Sequence, residues 1–210
     1  MVPARWRLTG KRIRVRGGQG TEFRKGISRL LLNVGAFLLV FVAGNYLWMH
    51  EHQHHLMQQW QAQATGTTHS DSHTALTRLR IPKIALDVVI MEGTSSRSLT
   101  LGPGHLKNTA DPGATGNAVI AAHRDTYFRH LHELAEGDEI LVQREGKTFR
   151  YLVTGERIVQ PTDLSVLENS DESRLTLITC YPTYYIGPAP KRLVVFAKLS
   201  GNAESAAVFP

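Results

Sequence analysis

The chain's hydrophobic pattern divides into two regimes. From Leu30 to Trp48, "LLLNVGAFLLVFVAGNYLW", nineteen residues run without a charge and without an amphipathic period. At ~1.5 Å per residue a helix of that length crosses a ~30 Å hydrocarbon core. The polar Asn33 and Asn45 lie near its ends, and Tyr46 and Trp48 fall where an interfacial aromatic belt sits. One transmembrane helix is expected, over residues 30–49. A cleaved signal would need a shorter apolar region and a small-residue cleavage site, whereas Ala43 and Gly44 are followed at once by bulky side chains. The segment therefore reads as a retained anchor.

Residues 50–75 are polar and carry no sustained apolar period, as a stalk would. Their first half can continue the helix, and "TGTTHSDSH" has the composition of a flexible linker.

From Leu76 the pattern becomes short β-type runs punctuated by Gly and Pro. "LTRLRIP" and "DVVIMEG" predict the first strands, and "NAVIAAH", Asn117 to His123, a buried one. The stretch between them, "SSRSLTLGPGHLKNTADPGATG", is turn-rich and too polar for core. Asp125 or Thr126 then caps a predicted short helix with Tyr127, Leu131 and Leu134 on one face and His130 and His132 near the solvent side. "DEILVQREGKTFRYLV" predicts a hairpin turning near Glu145 and Gly146, "GERIVQP" extends or follows it, and "TDLSVLEN" is a turn or short helix. "LTLITC" and "RLVVFAKL" are the last strands. Seven or eight strands without β-α-β alternation predict a closed or nearly closed barrel, a mostly β fold with short helices, over 76–200. Residues 201–210 form a tail.

Charge changes the picture of the partners. The formal net charge is +6, but residues 1–29 hold nine basic side chains against Glu22, or +8. The remainder, 15 basic against 17 acidic, carries −2. A basic tail before an apolar helix predicts, by the positive-inside rule, a cytoplasmic N-terminus and an extracytoplasmic domain. A slightly acidic domain excludes a phosphate-backbone footprint, so no nucleic-acid partner is expected.

The candidate chemistry centres on Cys180, the single cysteine. Exported proteins pair their cysteines, so a leftover thiol is either inert and buried or retained for its reactivity. Leu175, Leu177 and Thr179 alternate with Thr176, Ile178 and Cys180, and Pro182 stops the ladder, which puts the thiol at a strand tip. A cysteine nucleophile needs a proton partner, and histidine suits that task near neutral pH. Of ten histidines, His123 also ends an apolar strand; in such a place a histidine is either catalytic or structural. Arg192 returns beside Cys180 if the last two strands pair as a hairpin. It is there either an oxyanion-stabilising guanidinium or a surface cation like its neighbour Lys191. Tyr181, Tyr184 and Tyr185 wall the groove or simply pack over the barrel end. His50, His52, His54 and His55 suit a transition metal by ligand type, but their segment lacks the rigid geometry of a site.

Several motifs together resemble the sortases. "TLITC" resembles their TLxTC signature, "AAHRDTYF" their catalytic histidine motif and "APKRLVV" their catalytic arginine strand. "RLRIPKIALDVVIMEG", "GPGH" at Gly102 to His105 and "LHELAEGDEILV" are also similar, so the resemblance covers about Leu76 to Ser200. The form "TCYPTYYIGPAPKR" looks most like class D sortases or the related Gram-negative type. The resemblance implies an eight-stranded β-barrel, with Cys180 as nucleophile, His123 as general acid/base and Arg192 as oxyanion cation; His105 is given no catalytic role. It implies transpeptidation: cleavage of an LPxTG-like sorting signal on a protein substrate, a thioester on Cys180, and transfer to an amine acceptor from the cell envelope or another protein. No cofactor is expected, and calcium stays open for want of a compact carboxylate cluster. Two alternatives stand beside this: a cysteine endopeptidase that releases to water, and a non-catalytic membrane-tethered β-barrel binding module.

Overall fold

The computed structural model describes residues 19–64, 76–185 and 187–203. Most of the basic arm, the linker with His69 and His73, and the end of the C-terminal tail lie outside the described residues. The chain forms two units, one ending at Leu47 and one beginning at Trp48.

In the first unit, helix α1 (Gln19–Ala64) carries the uncharged stretch. The side chains of this stretch face outward all round, with Leu32, Leu39 and Val40 at least 70% exposed. A helix apolar on every face has no core-facing stripe and suits a lipid environment. It is long and apolar enough to cross a membrane.

In the second unit, the C-terminal part of α1 packs on the β domain. Gln53 is buried. Its Oε1 accepts from the Val89 amide at 3.1 Å, and its Nε2 donates to the carbonyls of Leu101 at 2.5 Å and Val89 at 3.4 Å. The Arg78 guanidinium lies 4.9 Å from the centre of the Trp60 ring, and Gln63 accepts from the Leu76 amide at 3.2 Å. The predicted stalk thus begins as docked helix.

Eight strands close into a barrel: β1 (Thr77–Ile81), β2 (Leu86–Glu92), β3 (Gly104–His105), β4 (Gly116–Ala121), β5 (Glu139–Arg144), β6 (Lys147–Val159), β7 (Ser173–Tyr181) and β8 (Lys191–Ala203). Around the barrel the order is β1-β2-β3-β4-β7-β8-β6-β5, with β5 pairing back to β1. Only β2 with β3 and β4 with β7 run parallel; the other pairs are antiparallel. Period-two alternation sends Leu79, Ile81, Ile120, Leu175 and Leu177 inward, each fully buried. A second, smaller cluster lies on the other face of the sheet, where Val159, Val166 and Val194 pack with Leu167, Ile178 and Phe196.

The structure departs from the sequence expectations at three places. The polar stretch after β2 contains a short helix α2 (Ser96–Leu101), and the β3 strand with a buried His105. Ser95 caps α2 by accepting from the Ser98 amide at 3.1 Å. The helix expected after His123 is instead a run of turns ending in a 3-10 turn, Leu131–Glu133. Its bonds run from Arg129 to Thr126, Leu131 to Phe128 and Leu134 to Leu131, the three-residue spacing of a segment too short to nucleate an α-helix. His132 is accordingly not at the solvent side: it is half-buried and meets Tyr184 edge to face at 5.9 Å.

Candidate active site

The parallel pairing of β4 with β7 builds the site, because parallel neighbours end at the same end of a barrel. Their partners run from Gly116↔Ser173 to Ala121↔Ile178 at constant offset. The pairing continues past the assigned strand end. The Ala122 amide donates to the Ile178 carbonyl at 3.1 Å, and the buried Thr179 hydroxyl donates to the Ala122 carbonyl at 2.8 Å. Extended by the same offset, His123 comes level with Cys180. The carbonyl of His123 then accepts from the Phe128 amide at 3.1 Å and starts the turn that leads the chain away.

Arg192 arrives from the opposite side. In the antiparallel pair of β7 with β8, Cys180 and Arg192 are direct partners. Directly opposed residues share a face of the sheet. That face is the one away from the main core: Thr179 and Leu177 point inward, and Ile178, paired with Val194, belongs to the outer cluster. The three sequence-predicted residues therefore gather at one barrel end, Cys180 on β7, Arg192 on the adjacent β8 and His123 two residues past the end of the adjacent β4. Cys180 is a free thiol and half-buried, His123 is exposed and Arg192 half-buried. Arg192 donates from Nη1 to the carbonyls of Lys191 at 3.0 Å and Ala189 at 3.3 Å, which keeps the guanidinium along its own loop.

Toward the opposite end of β4, polar side chains tie the strand to its surroundings. The Thr176 hydroxyl donates to Asn117 Oδ1 at 2.6 Å, and Asn117 Nδ2 donates to the carbonyls of Val166 and Glu168, each at 3.1 Å. Satisfied buried networks of this kind fix one arrangement of the strands they join. Sequence reading missed Asn117, because its partners lie far along the chain.

The remaining candidates lie elsewhere. His105 is buried, with Nδ1 3.3 Å from Glu92 Oε2 and Nε2 3.0 Å from the Ala110 carbonyl and 3.2 Å from Thr109 Oγ1. It fastens the connection that leads into β4. Of the α1 histidines, His50 and His54 approach to 3.0 Å, His55 pairs with Glu51 at 3.1 Å and His52 stacks on Trp48. Among the described residues, no group of three or more His, Cys, Asp or Glu side chains is arranged to hold a metal.

The sortase domain family model matches residues 79–200. The chain is 38% identical to sortase D of Bacillus subtilis over 121 residues, 57% of this chain and 61% of that one. It is 26% identical to sortase SrtE1 of Streptomyces coelicolor over 209 residues, 87% of this chain and 58% of that one. The chain thus spans about three fifths of the length of these curated relatives. Among solved structures, a Clostridium perfringens sortase D5 transpeptidase superposes with TM-score 0.62 at 27% identity, over 72% of this chain and 99% of that one. Sortase E1 from Streptomyces coelicolor with a tripeptide in its active site superposes with TM-score 0.55 at 30% identity, over 61% and 89%.

Proposed function

The chain belongs to the sortase family, and on that premise we propose that it is a membrane-anchored cysteine transpeptidase with Cys180 as nucleophile, His123 as general acid/base and Arg192 as oxyanion cation. The observation that carries this reading is the register: Arg192 is the direct partner of Cys180, and the β4–β7 offset brings His123 level with it. The partial exposure of Cys180 speaks against a thiol sealed into a binding module.

The substrate is a protein with an LPxTG-like sorting signal. The Cys180 sulfur attacks the carbonyl carbon after the Thr, and Arg192 donates to the oxygen as it gains negative charge. When the C–N bond breaks, His123 gives the departing amine its proton and the acyl part stays on sulfur as a thioester. The amine of an acceptor then attacks the same carbonyl and His123 takes up its proton. The C–S bond breaks, and the thiol is regenerated. One amide bond is exchanged for another, so no external energy source or cofactor enters the cycle. A thioester suits this exchange because it is electrophilic enough for an amine to open.

The arrangement along the chain is a basic cytoplasmic arm over 1–29, a membrane anchor over 30–49, a polar juxtamembrane segment over 50–75 and the extracytoplasmic catalytic domain over 76–200. The acceptor is an envelope precursor or another protein carrying a free amine.

Product analysis in excess amine tests the assignment. The full chain, incubated with an LPxTG-type peptide and triglycine, is expected to yield the ligated product, and Cys180→Ala none. Release to water alone despite saturating amine would make the chain an endopeptidase instead.

A further inference from the structure

Two loops leave the active-site end of the barrel, one after His123 and one after Cys180. The chemistry proposed above uses no contact between them, yet five contacts fasten them together. Arg124, next to His123, donates from Nη1 to the Pro182 carbonyl at 3.0 Å and from Nη2 to the Gly187 carbonyl at 2.7 Å. Its guanidinium also lies 5.8 Å from the centre of the Tyr185 ring. Farther along, Arg129 lies 6.0 Å from the Tyr184 ring, and His132 meets that ring edge to face.

The aromatic contacts are the weaker part of this fastening. Tyr184 and Tyr185 are 70% and 49% exposed, and cation–π contacts at exposed sites contribute only about 0.5–1 kcal/mol. The strong part is the fork. A planar guanidinium presents donors in fixed directions and can bridge two carbonyls, which a lysine ammonium, a single point on a flexible stem, does poorly. One carbonyl is near the start of the loop and the other past its tip, so a single side chain pins both ends of the excursion. Gly187, at φ +112°, turns that second carbonyl in a region where a side chain would be strained.

The pinned loop ends at Arg192, and among the described residues Arg192 is held through the Ala189 and Lys191 carbonyls at that loop's end. The hold on Arg192 thus runs back through the loop to Arg124. We propose that Arg124 is a positioning residue: by clamping the β7–β8 loop to the segment after His123, it holds Arg192 in place beside Cys180. The proposal rests on the role given to Arg192 above. It also implies that one dipeptide, His123-Arg124, carries both the acid/base group and the fastening of the opposite loop.

The test uses the full chain in detergent micelles. Hydrogen exchange needs no activity: amides of residues 181–191 are expected to exchange about ten-fold faster in Arg124→Ala, with β4 and β7 unchanged. Gly187→Ala leaves Arg124 in place and is expected to loosen the same peptide. The second readout is turnover of an internally quenched LPxTG-type peptide, normalised to alkylatable Cys180. In Arg124→Ala, kcat is expected to fall about 10–100-fold with KM within about two-fold, and Arg124→Lys to behave alike. Because Arg124 acts through Arg192, the double variant Arg124→Ala, Arg192→Ala is expected within about three-fold of Arg192→Ala alone. Unchanged loop exchange, losses that multiply in the double variant, or full turnover in Arg124→Lys would each overturn the proposal. Cleavage that persists in Cys180→Ala would instead bring down the transpeptidase reading, and the exchange result would still decide whether Arg124 holds the loop.

Discussion

Thr179 donates its hydroxyl to the carbonyl of Ala122 at 2.8 Å, so the residue before Cys180 is bonded to the residue before His123. The bond lies at the point where the parallel ladder of β4 and β7 gives way to loops, and Thr179 is only 2% exposed. Replacing it with the isosteric Val leaves a buried carbonyl without its donor, which costs about 1–3 kcal/mol. The expected outcome for Thr179→Val is a lower Tm by calorimetry. Peptide turnover per folded molecule should also fall, because the separation of His123 from Cys180 is no longer fixed. Unchanged turnover in a fully folded Thr179→Val would show that the ladder alone sets that separation.

Gln53 satisfies both the amide and the carbonyl of Val89 and also donates to Leu101, at a place where the β2–β3 pairing has not yet begun. A glutamine side chain here does what a neighbouring strand would do for an open sheet edge. Gln53→Ala takes this partner from the amide and carbonyl of Val89, while the Leu101 carbonyl keeps the Tyr127 hydroxyl at 2.8 Å, and is expected to destabilise the domain by about 1–3 kcal/mol. Urea unfolding of the full chain measures it; a midpoint equal to wild type would make the docking of this part of α1 incidental.

Gly113 is held at φ +93°, its amide donates to the Tyr151 hydroxyl at 2.7 Å, and a Cβ there would overlap the Phe149 ring. Gly113→Ala combines a strained backbone with a steric clash. Its expected effect is a loss of stability of about 2–4 kcal/mol. Thermal unfolding checks it, and the loss should exceed that of Gly146→Ala, where an added Cβ meets open space at a comparable φ of +71°.

The Asp138 carboxyl is held below its ordinary value, first by the hydrogen bond from Lys83 at 2.7 Å and then by the Ala135 amide at 2.6 Å. A carboxylate depressed in the folded state contributes stability that is present above its unfolded value and lost as pH falls through the folded one. Asp138→Asn is therefore expected to lower Tm at about pH 6, with the gap closing as pH falls below the ordinary carboxylate value of about 3.9. The pair is partly exposed, so the difference should not exceed about 1 kcal/mol. A gap that stays constant across that fall in pH would contradict the account, because both hydrogen bonds favour the charged carboxylate.

Much of this arrangement could be read from the sequence, and what could not has a physical reason. Cys180 and Arg192 bracket one loop between two apolar runs, so their pairing is a local matter that hairpin geometry settles. The parallel partnership of β4 and β7 spans 57 positions and a complete intervening hairpin, and no local pattern encodes it. The barrel itself followed from the count of short alternating runs, whereas α2 and β3 escaped because a six-residue helix and a two-residue strand carry too few positions for a period. Gln53 reads as a solvated stalk residue until its partners, 36 and 48 positions away, are in view. Arg124 stands inside the "AAHRDTYF" motif, but its two acceptors are backbone carbonyls, which leave no mark on the sequence.

The central claim is that the thiol at the end of β7 becomes acylated. Intact-mass spectrometry of the full chain after brief exposure to an LPxTG-type peptide tests it most directly. The account predicts an adduct equal in mass to the peptide's N-terminal fragment, mapped to Cys180, released by an added amine and absent from Cys180→Ala. An adduct on another residue, or cleavage that proceeds undiminished in Cys180→Ala, would contradict it.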